Sequence, residues 1–138
     1  MNMEEAFLLL AKSPFRRRFH LSKEDREYVE KLGEEKLRSH ALSFVRQKLS
    51  PAFPVNDGKQ TPMKGHPIFI AMHGCAMCCR SCMEKYWHVP KGIPLTPLQE
   101  EKSVNFLLAF IHRELLLPPP NPPRKKKRDK DLFDITPP

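Results

Sequence analysis

Two proline-bounded apolar stripes constrain this 138-residue chain more than any other feature. The later one opens at Thr96-Pro97-Leu98-Gln99. Threonine can cap a helix, proline suits the first helical position, and glutamine three residues on can reach back to complete a capping box. Val104, Leu107, Leu108, Ile111 and Leu115 then recur at helical spacing until Pro118 ends the run. The earlier stripe begins after Ser22, with Asp25 placed as its capping partner. Leu37, Ala41, Phe44, Val45 and Leu49 make its apolar face, and Pro51 stops it because the residue before a proline avoids helical geometry. Gly33 weakens the middle, so one long helix with a kink is expected there. Ahead of it, Phe7 to Leu10 form a short apolar patch suited to one or two helical turns docked on the domain.

Between the stripes the signals change. "PAFPVNDGKQTPMKG" (51–65) is a loop with a turn at Asn56-Asp57-Gly58. At about fifteen residues it is long for a small domain, and long loops are often functional. Its polar set is Asp57, Lys59, Gln60, Thr61 and, just beyond, His66. These could line a site, with Asp57 or His66 as acid or base, or simply satisfy the loop's own backbone. They do not match a phosphate-binding P-loop. "HPIFIAMH" follows, and its apolar, β-branched character is expected to be one short extended segment.

The chain's four cysteines all fall within eight residues: Cys75, Cys78, Cys79 and Cys82. On one straight helix they would share a face about 100° wide, with Arg80 and Glu84 turned elsewhere. Such thiols can pack as small hydrophobes, since free cysteine behaves as one. They can also hold a metal or act as redox groups. Zinc takes a tetrahedron of sulfur and nitrogen, which four cysteines on one straight helix cannot provide. A zinc site therefore needs outside ligands, or a helix that starts only after Cys75 or Cys78. His66, His73 and His88 flank the cluster and could supply nitrogen. A redox pair would be Cys75–Cys78 or Cys79–Cys82, with Arg80 or Lys85 lowering a thiol pKa. Trp87 reads as an aromatic closing the core over this region.

A family resemblance enters on three stretches. They are "FRRRFHLSKEDREYVEKLG", "NDGKQTPMKGHPIFIAMHGCAMCCRSCMEKYWHVPKG" and the helix after Thr96. Over roughly residues 14–115 the chain resembles the prokaryotic family called domain of unknown function 4186. The resemblance implies a small cytoplasmic protein and carries no activity with it. It also implies that Cys78, Cys79, Cys82, His66, His73 and His88 belong to the family's pattern while Cys75 does not. That favours a mixed site, such as Cys79, Cys82, His73 and His88, over a four-thiol one.

Charge bears on partners. The chain carries a formal +8, which favours acidic or phosphate-rich partners. Basic runs lie at Arg16, Arg17 and Arg18, and at Lys125, Lys126, Lys127 and Arg128. Either run could neutralise phosphates of a nucleic acid, bind an acidic protein surface, or be a solvated arm. No apolar run approaches the roughly 18 residues of a membrane span. The first residues are too short in apolar length, and too acidic, for a signal peptide. A cytoplasmic, non-membrane location is expected, and in a reducing compartment clustered cysteines more often bind metal or act in catalysis.

These readings predict a mainly α fold as a small single domain. It has a long helix, a short extended segment, a Cys-bearing helix and a closing helix. Residues 1–117 form the Cys/His-containing domain, and 118–138 form a disordered Pro-rich basic tail. The expected function is a structural zinc module on Cys78, Cys79, Cys82, His73, His88 and His66, with nucleic acid or a protein as partner. Two alternatives stand: a hydrolase-type enzyme with an open zinc position, or a metal-free thiol redox protein.

Overall fold

A computed structural model describes residues 2–118. The expected tail, including Lys125, Lys126, Lys127 and Arg128, lies outside the described residues beyond Pro118. Six α-helices and one 3-10 turn account for the regular structure, with no strand among the described residues. They are α1 (Met3–Ala11), α2 (Lys23–Leu32), α3 (Glu34–Lys48), α4 (Pro67–Gly74), α5 (Arg80–Trp87) and α6 (Pro97–Leu116); the 3-10 turn is Arg16–Arg18.

The local signals act as read. Ser22 accepts from the Asp25 N–H while the Asp25 carboxylate accepts from the Ser22 N–H. Thr96 and Gln99 exchange the same pair of bonds. α1 forms and buries Ala6 and Leu10. The kink expected at Gly33 is instead a break that separates α2 from α3. Gly33 sits at φ 84°, a left-handed value open to glycine, and its N–H closes α2 on the Val29 carbonyl. Of the apolar stripes, Leu37, Ala41, Val45 and Leu49 are fully buried, as are Leu107 and Ile111. Leu115 departs from its stripe and is partly exposed.

The short extended segment is corrected. Residues 67–74 are helix α4, buried almost all round. An apolar run of this length reads alike as buried strand or buried helix. The helix forms because His66 caps it, its Nδ1 accepting from the Ile68 N–H, and Pro67 occupies the first helical position. Among the described residues there is no second strand to pair it.

α6 is the spine, packed on both α3 and α4. The α4–α6 contact is close enough that a Cβ on Gly74 would come within 2.7 Å of the Phe110 ring. That crossing fixes where α4 ends, and so where the cysteine-bearing loop begins.

Candidate metal centre

The cysteines do not share one helix. α4 ends in a Schellman motif: the Met77 N–H donates to Met72 O at 2.8 Å and the Ala76 N–H to His73 O at 3.3 Å. Ala76 takes the left-handed position, φ 57°, that glycine usually fills. The chain reverses there and re-enters a helix at Cys79, which caps α5 by accepting the Cys82 N–H on its sulfur at 3.3 Å. The Sγ atoms of Cys78, Cys79 and Cys82 thereby lie within 4.8 Å of one another. The Cys78 and Cys82 sulfurs are hydrogen-bonded to each other at 3.7 Å. Cys75 stays apart, fully buried, with its thiol toward the Phe106 carbonyl.

Arg16 completes the cluster from the far end of the sequence. Its guanidinium donates to Cys78 Sγ at 3.5 Å and to Cys82 Sγ at 3.0 Å. It also donates to the His73 carbonyl at 2.8 Å. The Phe15 and Tyr86 rings flank it at 5.0 and 5.3 Å. Burial alone would push Arg16 toward neutrality, but the hydrogen bond to Cys78 and the charges of Cys78 and Cys82 outweigh it and raise its pKa. One proton leaves this pair of sulfurs long before the other. The hydrogen bond with Cys82, helped by Arg16, brings Cys78 down to about 7, while that same bond, with burial, holds Cys82 above its ordinary value. Burial pushes Cys75 and Cys79 up.

The flanking histidines take three different positions, all outside the three-sulfur group. His66 spends Nδ1 on the α4 cap, so Nε2 carries the proton and donates to His40 Nδ1 at 3.0 Å. Burial, then the neighbouring His40, lowers its pKa to about 4. His88 ends α5 in the left-handed conformation, φ 59°, with its backbone N–H on Glu84 O. His73 is buried and stacks on Phe19. Its Nε2 faces the carbonyls of Thr61 and Pro62 at 3.1 and 3.2 Å, so the proton sits there. Its Nδ1 therefore carries a free lone pair, is buried, and has no hydrogen-bond partner. Burial lowers the His73 pKa.

The polar loop braces this centre. Asp57 caps α5 from outside, accepting from the Arg80 N–H at 2.9 Å and from the Ser81 N–H and Oγ. Burial opposes its charge, but bonds from Gln60, Arg80 and Ser81 prevail and its pKa falls. The Thr61 hydroxyl donates to the Cys78 carbonyl at 2.8 Å. Trp87 donates Nε1–H to the Cys75 carbonyl at 2.9 Å and meets Phe106 edge-on. Arg80, 1% exposed, donates to four carbonyls: Leu49, Pro51, Pro90 and Ile93.

Sequence reasoning placed Arg16 with Arg17 and Arg18 as a phosphate-binding run. Arg16 turns inward to sulfur, while Arg17 and Arg18 are exposed. Nothing local distinguishes the three. The aromatic residues on either side, Phe15 and Phe19, were the available hint, since arginine stacks on such rings.

Fold and site together define a small, mainly helical protein with a compact group of three thiols that could hold a metal ion. The chain belongs to the family described as Domain of unknown function (DUF4186), whose model matches residues 4–112. That span takes in α1 as well as the thiol loop. No solved structure matches the chain. None of the described helices is long and apolar enough to cross a membrane.

Proposed function

We propose that the protein is a zinc–thiolate module in which Cys78, Cys79 and Cys82 supply three ligands and His73 Nδ1 the fourth. The observation that carries this reading is the convergence of three sulfurs within 4.8 Å where the loop after α4 enters α5, a junction that the rest of the fold braces. Soft thiolates select zinc and related thiophilic ions. His73 supports the fourth place because it has the pattern of a metal-ligating imidazole: one nitrogen donates to backbone carbonyls and the other is bare. His66 and His88 lack that pattern.

Charge favours the same assignment. Three thiolates and a neutral imidazole around a divalent ion leave one negative charge, and Arg16 brings one positive charge against two of the sulfurs. A closed four-ligand site would be structural, tying α4, the loop and α5 together, and its binding energy would add to folding. With His73 not bound, the fourth position would be open to water, as in a hydrolase. For a partner, the exposed Arg17 and Arg18 support an acidic or nucleic-acid surface beside the module, whose affinity would fall as salt rises.

Full-length protein purified without chelator or histidine tag should contain about one zinc per chain by elemental analysis. Single Cys78→Ser, Cys79→Ser and Cys82→Ser changes should each lower zinc affinity at least roughly tenfold, and Cys75→Ser should not. His73→Asn separates the two site types: a matching loss means a closed site, and unchanged affinity means an open one. Metal-free protein with four titratable thiols would discard the reading.

A further inference from the structure

We propose that Cys78 and Cys82 are a peroxide-sensitive disulfide couple, and that closing it expels the metal. The inference deepens the three-sulfur reading for the release step, while the disulfide itself does not depend on a bound ion.

The couple is selected by geometry. Their sulfurs are 3.7 Å apart and hydrogen-bonded to each other. A disulfide needs roughly 2 Å, a gap side-chain rotation can close across the first turn of α5. Cys79 caps α5, its sulfur accepting the Cys82 N–H, and Arg16 does not reach it. Cys75 is fully buried and faces a carbonyl of α6. Cys82 is the one cysteine with appreciable exposure, so an oxidant from solvent meets the cluster there. Arg16 donates to both members of the couple and to no other sulfur. A positive donor in that place stabilises the negative charge on whichever sulfur attacks.

The chemistry balances with a hydroperoxide as oxidant. One sulfur of the couple, as thiolate, attacks a peroxide oxygen: the S–O bond forms, the O–O bond breaks, and hydroxide leaves as water after taking a proton. The second sulfur then attacks the sulfenyl sulfur: the S–S bond forms, the S–O bond breaks, and a second water leaves with the remaining thiol proton in metal-free protein, or with one from solvent where both sulfurs are metal-bound thiolates. Two thiols are oxidised by two electrons and the peroxide is reduced to two waters. A bound ion then loses two of its three sulfur ligands and dissociates. This differs from the couples suggested by spacing alone, Cys75–Cys78 and Cys79–Cys82. The reversed chain at Ala76 and the helix start at Cys79 put positions 78 and 82 together instead.

The test uses the full-length, metal-bearing protein and hydrogen peroxide. Zinc release is followed with a chromogenic chelator while alkylated tryptic peptides are mapped by mass. Trypsin cuts after Lys64, Arg80 and Lys85, so Cys82 falls on one peptide and the other three cysteines on the one before it. A reducible link between the two peptides should appear in step with released zinc. The link should persist in Cys79→Ser and Cys75→Ser and vanish in Cys78→Ser. Arg16→Met should slow its formation several-fold. Circular dichroism checks that each variant is folded. A link that survives in Cys78→Ser, or oxidation to sulfinate with no link, would overturn the couple. Link formation with zinc retained would overturn the release step. Should the protein prove metal-free, the peptide map still decides the couple, so the two readings fail separately.

Discussion

Two buried arginines beside the cysteine cluster do different work. Arg80 donates to four carbonyls, two on each of the chain segments 49–51 and 90–93, and so sews the end of α3 to the approach to α6. Its partners are all backbone. Arg16 gives one bond to a carbonyl and two to sulfur. A backbone carbonyl cannot titrate, offer a thiolate to a metal or be oxidised; a thiol can do all three. Similar burial therefore yields a backbone fastening in one region and a contact with titratable sulfurs in the other, and the identity of the acceptor makes the difference.

Replacing each arginine tests that contrast, and Arg80→Met should have the largest effect. It leaves four carbonyls without their donor, and each buried orphan costs about 1–3 kcal/mol. Urea unfolding should show a loss of roughly 3 kcal/mol or more. An unchanged midpoint would show that water replaces Arg80 and that it is no fastening. Arg16→Met should cost less stability but alter the thiols more. In metal-free protein, the first thiol titration should rise from about 7 toward the ordinary cysteine range, read from thiolate absorbance against pH. A fixed titration with reduced stability would make Arg16 structural after all.

How much of this was legible follows the range of each interaction. The caps at Ser22 and Thr96 span three residues, so their partners stand in the same short stretch of sequence. The apolar stripes of α3 and α6 repeat within one element, and they too were readable. α4 was misread because an apolar run of eight carries no period. The usable sign was His66-Pro67, a cap followed by a first-turn proline. The three sulfurs were found as a group by spacing, but the turn that gathers them depends on a left-handed alanine. Arg16 lies 62 and 66 residues from its sulfurs, and no local pattern encodes such a contact. Asp57, a candidate acid or base by composition, caps α5 across 23 residues, a contact that no local pattern encodes either.

Two smaller effects sharpen the comparison by probing α4, which leads into the loop. His66 has a pKa near 4 in the folded chain, below the roughly 6.5 of an unfolded histidine. The unfolded state therefore takes up the proton first. The stability associated with neutral His66 is complete above about pH 6.5 and is lost as pH falls toward 4. His66→Asn keeps an acceptor for the cap and should flatten that part of the stability–pH curve; an unchanged slope would assign the loss to another group. Ala76→Gly relieves the left-handed strain at the turn and should stabilise the protein by up to about 1 kcal/mol, with zinc binding unchanged. Destabilisation would mean that the alanine methyl packs to more effect than the strain it bears.

The most direct test of the zinc–thiolate account is X-ray absorption at the zinc edge on the purified full-length protein. The account predicts a shell of three sulfurs at about 2.3 Å and one nitrogen at about 2.0 Å, the nitrogen lost in His73→Asn. A shell of oxygen and nitrogen alone would place the metal away from Cys78, Cys79 and Cys82 and contradict the account.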